Sequence, residues 1–409
     1  MPEGHHHASF ANVSSTLTFI LRLTGIVKFK LENAVFWENL LATFAYFCTT
    51  IFTTTYVVEL IKNVGNSEKI VACIVMSLPG LCSLIRLSMI LAYRDRFQRM
   101  MEFCEKMWKD ANSLEKELIE KYTNITNKLT NWYIYSVILT VMSHFTANLY
   151  TNITLSKASM ENETYVRILA YESLITTDDK TPYFELLYIF QVIFITNAGI
   201  TIIGLDLLGP YLILTASGYL KILQSRISNI FHVGRQGTKV ITNDNDELIS
   251  CNSKPPTQII LELKQCILYH QEIFQFCRDI EELANVFFLT VLSTSTYNLS
   301  LMGFKLVGND PDKYEFAAQT TIPIMQLLLC NWPPDILHTQ SLAVARAVYD
   351  LPWFEQSSIF KKYHYIVLMR SHKPIRLSAG KFVYLSLETF ASMLSTAASF
   401  FAMISSIQR

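Results

Sequence analysis

Charged residues are scarce in this chain: Asp, Glu, Lys and Arg make up only 17% of its 409 residues, whereas hydrophobic residues make up 51%. Because a soluble domain carries about a quarter charged residues, this composition predicts an integral membrane protein. Acidic and basic residues are equal in number, and no basic tract occurs. The sequence therefore argues against nucleic acid as a partner.

Patterns for catalysis, metal binding and disulfide bonding are also missing. The eight cysteines show no CxxC or paired Cys/His spacing, so we expect neither a zinc site nor a disulfide framework. Three consecutive histidines, His5 to His7, are weak support for a metal site, and we expect none. Since GxSxG, HExxH, Walker A and GxGxxG patterns do not occur, we expect no enzyme activity and no cofactor.

Long hydrophobic runs divide the chain, and they predict an all-α protein with seven transmembrane helices. We place the spans at 34–61, 70–93, 131–153, 184–216, 283–304, 315–332 and 377–404. Residues 1–33 form an N-terminal segment without the pattern of a cleavable signal peptide, so the first span is expected to direct insertion. A short amphipathic helix on the membrane surface is expected within it, from the spacing of Phe19, Ile20, Leu23, Ile26 and Val27.

Basic residues indicate the orientation of these spans. With the N-terminus in the cytoplasm, the inside segments carry three times as many Lys and Arg residues as the outside segments. We therefore expect a cytoplasmic N-terminus, an extracellular C-terminus, cytoplasmic helical extensions at 94–130 and 217–282, and a cytoplasmic amphipathic region at 333–376. The sequons at Asn152 and Asn162 fall at or in the predicted outer loop and are candidate glycosylation sites.

Three charged residues within the predicted spans, Arg86, Asp206 and Glu388, are candidates for a special role. Arg86 is about two turns from the end of the second span, so we expect its side chain to extend to the membrane surface. Asp206 lies toward the inner end of the fourth span, and Glu388 lies inside the seventh. Each carboxylate is either a functional group or a structural partner for hydroxyl groups or for Arg86.

The last predicted span contains Glu388, Lys381 and seven Ser and Thr residues between 378 and 399 among mainly apolar residues. Small hydroxyl residues at near-helical spacing suit close packing inside a helix bundle. They suit the lining of a water-filled path equally well. The residues alone leave both interpretations open.

The C-terminal part of the chain, from Gln326 onward, also resembles a known family. The runs YDLPWFEQSSIFKKYHYIVLMRSHK and PIRLSAGKFVYLSLETFASMLSTAASFF closely resemble the C-terminal signature of insect odorant receptors. This resemblance implies a tetrameric, odorant-gated, non-selective cation channel. It implies that the helix in 377–409 lines the ion pathway and that 333–376 is an anchor region between subunits. One departure is Cys330-Asn331-Trp332-Pro333-Pro334-Asp335, where the family has a Tyr-Cys turn followed by glycine and an acidic residue.

The resemblance further implies a role and a location. The segment 217–282 is shorter than its counterpart in the co-receptor, so we expect a tuning subunit that assembles with the odorant receptor co-receptor into a heterotetramer. Its ligand would be a small volatile odorant, and its location the plasma membrane of olfactory sensory neuron dendrites, in contact with lipid. The alternatives are a metabotropic seven-helix chemoreceptor, which has the opposite orientation, and a gustatory-type channel subunit, whose C-terminal Thr-Tyr…Gln-Phe pattern is absent.

Candidate site residues follow from the predicted spans and from the resemblance. An apolar odorant would lie in the outer halves of spans two to six, and nine residues there are candidate contacts: Met76, His144, Phe145, Asn148, Tyr188, Gln191, Phe194, Tyr297 and Thr320. The resemblance implies that Met403 and Ile407 form the gate; they lie four residues apart on one helix face, with Ser399, Ser406 and Glu388 along the same path. Packing within the bundle or against lipid remains the alternative for each.

Overall fold

A computed structural model describes residues 15–25, 34–65, 67–159, 183–231, 254–307 and 313–407. Ten α-helices contain most of them: α1 Ser15–Leu23, α2 Ala34–Lys62, α3 Ser67–Ala92, α4 Arg94–Asp110, α5 Ser113–Ser159, α6 Tyr183–Ser228, α7 Pro256–Val307, α8 Lys313–Tyr349, α9 Ser358–Ser371 and α10 Leu387–Ile407. A 3-10 helix spans Trp353–Glu355, and β1 Ser378–Ala379 pairs antiparallel with β2 Val383–Tyr384. The predicted all-α class is confirmed.

Several helices are much longer than a membrane crossing requires. About 20 residues span the hydrocarbon core, whereas α5, α7 and α8 have 47, 52 and 37 residues. These three helices therefore continue well past the length of one crossing. By length and apolar composition alone, three segments in the described ranges qualify as spans: Phe36–Lys62, Lys69–Ala92 and Tyr183–Ser228.

Helix α6 is the centre of the bundle. Every residue from Ile203 to Leu220 is buried, which is expected of a helix that is apolar all round and surrounded by others. Helices α1, α2, α3, α5, α7 and α8 all contact it. Leu17 and Leu21 of α1 are 2% and 0% exposed, while Phe19 is 62% exposed, so α1 is amphipathic but packs into the bundle with one face. Ile26 and Val27 lie outside the described residues.

The segment Cys330–Asp335, where the sequence departs from the family pattern, is helical. Helix α8 continues through Pro333 and Pro334, although each proline removes a backbone donor and opposes a helix by about 3 kcal/mol. Dense packing outweighs that cost here, because Leu329, Cys330 and Asn331 are all buried between α6 and α7. The Asn331 amide donates to the Leu327 carbonyl at 2.8 Å, and its oxygen accepts from the Ser386 backbone N–H at 3.3 Å.

The last helix begins ten residues later than predicted. The Ser386 hydroxyl accepts a hydrogen bond from the Thr389 backbone N–H at 3.1 Å, which caps α10 at its start. The preceding residues form the β1–β2 hairpin, whose turn places Gly380 and Lys381 at φ +60 and +63. Ser378 therefore lies outside α10, and its backbone N–H donates a hydrogen bond to Glu281 at 2.9 Å. The 21 residues of α10 still extend about 31 Å, enough for one crossing.

Outside the spans, a partly buried ion pair connects α5 and α6 and contacts α7. Asn112 and Glu115 form a reciprocal cap at the start of α5, with hydrogen bonds of 2.9 and 3.0 Å between side chains and backbone N–H groups. Arg226 of α6 then contacts both oxygens of Glu115, at 2.5 and 3.0 Å, and lies over the Tyr269 ring of α7. Burial raises the pKa of Glu115, but Arg226 and the Asn112 N–H outweigh it, so its pKa is lowered.

We expect Gly380→Ala to destabilise the hairpin that precedes α10. A side chain at positive φ costs about 1–2 kcal/mol, and the added Cβ would lie 2.6 Å from the Leu289 side chain. The matched control is Gly65→Ala, whose Cβ would meet nothing within 4 Å. Thermal unfolding of the detergent-purified proteins measures the difference, and equal midpoints for the two variants would contradict the turn geometry.

Candidate functional site

A cavity of about 200 Å³ lies among helices α2, α3, α5, α6, α7 and α8. Its wall is mostly aliphatic and aromatic, with polar groups from two tyrosines and from Thr140, Asn298, Gln319 and Gln326. The volume corresponds to roughly seven water molecules, so the occupant would be small. A mostly apolar wall with a few fixed polar groups is typical of a site for a small, largely apolar molecule.

A second space, a groove of about 370 Å³, lies between α1, α5 and α6. Phe19, Ile138 and Met142 are among the apolar side chains that line it. Five residues line both spaces: Val137, Val141, Ile195, Gly199 and Ile203. These five residues therefore lie between the cavity and the groove.

Two of the nine predicted contact residues, Met76 and Phe145, line the cavity. Five others lie elsewhere in the bundle. Tyr188 stacks on Phe184 with 6.3 Å between ring centroids, and Phe194 packs edge-to-face on Phe47 at 6.2 Å.

The remaining predicted positions are spread more widely. Gln191 is buried, Tyr297 is 48% exposed, and Thr320 donates its hydroxyl to the Phe316 carbonyl at 2.7 Å. The side chains of His144, Asn148 and Asn152 lie outside the described part of the chain, and so does residue Asn162. The wall also includes Phe52 and Tyr56 of α2, a helix outside the predicted set, and most of the predicted side chains are not part of it.

A buried polar network adjoins the cavity. The Asp206 carboxylate of α6 forms an ion pair with Arg86 of α3, and the two residues are only 4% and 2% exposed. Tyr133 of α5 donates its hydroxyl to Asp206 at 2.5 Å, and Gln326 of α8 donates its amide to the same oxygen at 2.7 Å. Ser295 of α7 donates to the Gln326 oxygen at 2.9 Å. Four helices therefore meet at one carboxylate, and α7 joins them through Gln326. Tyr133 and Gln326 also belong to the cavity wall.

The prediction that Arg86 reaches the membrane surface is wrong. Its guanidinium group also donates to Ser83 at 3.1 Å and lies 5.1 Å from the Phe287 ring centroid, so it is enclosed on all sides. The Asp206 carboxylate on a neighbouring helix offsets the free-energy cost of burying the Arg86 charge. The side chain therefore does not need to extend to the membrane surface. The alternative interpretation of Asp206, a structural partner of Arg86, is confirmed.

Helix α10 leaves much of its surface uncovered by the rest of the chain. It packs on α7 and α8, and Gly303 of α7 gives room to Phe401. Glu388, Ser399 and Ser406 are exposed, and Met403 is 51% exposed. The side chain of Ile407 lies outside the described residues. Among the residues that the structure describes, no group of three His, Cys, Asp or Glu side chains could hold a metal ion.

Comparisons with known proteins give a consistent result. A family model described as 7tm Odorant receptor matches residues 68–398. Odorant receptor 13a of Drosophila melanogaster is 25% identical over 240 residues, and this alignment spans 54% of the chain and 53% of the relative. Odorant receptor 63a of the same fly is 21% identical, over 76% of the chain and 71% of the relative.

A solved structure shares the fold. The insect olfactory receptor OR5 from Machilis hrabei in complex with eugenol superposes with a TM-score of 0.72, covering 96% of the chain and 97% of that protein at 13% identity. The alignment includes the long helices that extend past the spans, since it covers nearly the whole of both chains. The predicted seven-span helical fold is confirmed by this similarity.

Removal of one partner from the buried ion pair is expected to be costly. Asp206→Asn leaves Arg86 as an uncompensated buried charge, which should lower the free energy of unfolding by about 3–5 kcal/mol. The double variant Arg86→Met/Asp206→Asn removes both charges and should recover most of the loss. Thermal midpoints of the purified proteins and surface labelling in cells measure both effects. A single variant as stable as the parent, or a double variant no better than the single one, would contradict the pairing.

Proposed function

This chain belongs to the 7tm odorant receptor family, and we propose that it is the odorant-binding subunit of a ligand-gated, non-selective cation channel. As a family member it is an odorant-sensing membrane receptor and not an enzyme. The observation that supports the finer proposal is the 200 Å³ cavity, whose wall includes two members of the Asp206 network. The proposed ligand is a small volatile molecule in this cavity. The Machilis hrabei receptor of the same fold is described in complex with eugenol, a small aromatic molecule.

The contacts offer a physical route from ligand to helix α10. A bound molecule would touch Tyr133 and Gln326, whose hydrogen bonds to Asp206 and Ser295 join α5, α6, α7 and α8. Helices α7 and α8 are the elements on which α10 packs, and Asn331 of α8 contacts the backbone of Ser386 at its start. In this proposal, the ligand stabilises an arrangement of α7 and α8 in which α10 takes its open position.

The pore and the partner are further parts of the proposal. We place Glu388, Ser399, Met403, Ser406 and Ile407 along the ion path, because α10 presents an exposed face that neighbouring subunits could complete. The odorant receptor co-receptor would supply the other subunits of a heterotetramer, with the region 333–376 as the contact between them. The proposed location is the plasma membrane of olfactory neuron dendrites, with the C-terminus outside and glycans at Asn152 and Asn162.

The cavity is tested by two aromatic residues from the predicted contacts. Phe145→Ala removes part of the cavity wall and should raise the odorant concentration for half-maximal current by about tenfold, since a lost apolar contact is worth about 1–3 kcal/mol. Tyr188→Ala removes a ring that stacks on Phe184 instead, and should leave that concentration unchanged. Currents are recorded from cells that express the chain with a co-receptor. Equal shifts for both variants at normal surface levels would contradict the choice of cavity.

The gate is tested by wetting the exposed face of α10. If Met403 and Ile407 form an apolar constriction, Met403→Ser or Ile407→Ser should admit water and give current without odorant. The matched control is Met142→Ser, which changes a side chain of similar exposure, 56% against 51%, on a different helix. Basal current and ion selectivity are measured at equal surface expression. Unchanged basal current in both α10 variants would remove the gate assignment and leave the cavity unaffected.

A further inference from the structure

A proline in α3 leaves one backbone carbonyl beside the cavity without its usual hydrogen-bond donor. Pro79 has no backbone N–H, so the carbonyl of Val75, four residues earlier, lacks its usual helical donor. Asn298 of α7 supplies one: its side-chain amide donates to the Val75 oxygen at 3.3 Å. This side chain of α7 therefore supplies the hydrogen bond to the Val75 carbonyl that Pro79 cannot make within α3.

This hydrogen bond also fixes which way the Asn298 side chain faces. A reversed amide would place its oxygen against the Val75 oxygen, and two acceptors do not bond. The Asn298 oxygen is consequently held on the other side of the amide. It is buried and accepts no hydrogen bond from any described residue, although the residue is only 5% exposed. A buried acceptor without a donor is unfavourable and calls for a partner.

Asn298 belongs to the wall of the 200 Å³ cavity, beside Val75 and Met302. Two other polar groups in that wall use their hydrogens within the protein. Thr140 donates to the backbone carbonyls of Ser136 and Ala318, and the Tyr133 hydroxyl donates to Asp206. The acceptor at Asn298 can thus be satisfied by a donor that the cavity's occupant brings.

We infer that Asn298 determines odorant class: its oxygen accepts a hydrogen bond from a hydroxyl group of the bound molecule, so the receptor selects small alcohols and phenols over ethers of the same size and shape. The inference rests on the proposed odorant-gated activity. An ether presents only acceptors to Asn298, and its binding leaves the buried oxygen unpaired.

Isomeric probes test this selection. The full chain, expressed with a co-receptor, is exposed to alcohol and ether isomers, such as hexanol with methyl pentyl ether and benzyl alcohol with anisole, across a graded series of sizes. We expect alcohols to activate at roughly tenfold lower concentration than their ether isomers. Asn298→Leu should bring this ratio close to one, chiefly through weaker responses to alcohols. Thr140→Val, a second polar position in the same wall, should leave the ratio unchanged.

A further variant distinguishes a loss of ligand selection from a loss of folding. Asn298→Leu also deprives the Val75 carbonyl of its donor, so the double variant Pro79→Ala/Asn298→Leu is measured as well, because replacing the proline with alanine restores the backbone N–H. It should reach the cell surface and show the same loss of preference.

The outcomes separate this inference from the function on which it rests. Equal potency of alcohols and ethers in the parent, a ratio unchanged in the Asn298 variants, or a ratio lost in Thr140→Val would each overturn the role of Asn298. Currents evoked by hydrocarbons, ketones or ethers but never by alcohols would do the same and leave the channel proposal intact. No current with any member of a broad panel, despite surface labelling of the chain, would overturn both.

Discussion

The charge on Asp206, buried in the middle of the bundle, is the constraint on which the surrounding structure depends. A carboxylate at that depth is tolerated only when a cation and hydrogen-bond donors enclose it. Arg86, Tyr133 and Gln326 do so from three other helices. Because loss of any one donor leaves a buried group unpaired, these helices are held in one relative position, and the cavity that they border keeps its shape.

The helices of the bundle differ in how tightly the rest of the chain packs around them. Helix α6 is buried along 18 consecutive residues from Ile203 to Leu220 and offers little freedom to move. Helix α10, by contrast, is packed on one side only and is joined to the bundle through a short hairpin. Such a distribution suits a protein in which a fixed core holds the ligand site and a peripheral helix changes position.

The sequence could predict the features that depend on local hydrophobicity, and not those that depend on partners distant in the chain. Apolar runs located the helices, and the scarcity of charge made Arg86 and Asp206 stand out. Their pairing was one of two open interpretations, since residues 120 positions apart meet only through the fold. Packing outweighs the local preference of Pro333 and Pro334 against a helix. Ser386, by contrast, provides a local cap for α10 that hydropathy alone did not reveal. The residues of the cavity wall are mostly not the predicted ones, because the sequence does not show which face of each helix is turned inward.

Helix α7 has a mechanical consequence for a receptor of this kind. It contains no proline after Pro256, it forms part of the cavity wall at Asn298, and thirteen residues earlier its Asn285 carbonyl accepts a hydrogen bond from the Gly380 backbone N–H at 2.9 Å. At 1.5 Å per residue these two points are about 20 Å apart, so a tilt of about 5° pivoting at the cavity would carry the far point sideways by about 2 Å. A helix of this length can act as a lever arm, so a small tilt at the cavity would become a displacement of the hairpin that begins the final helix.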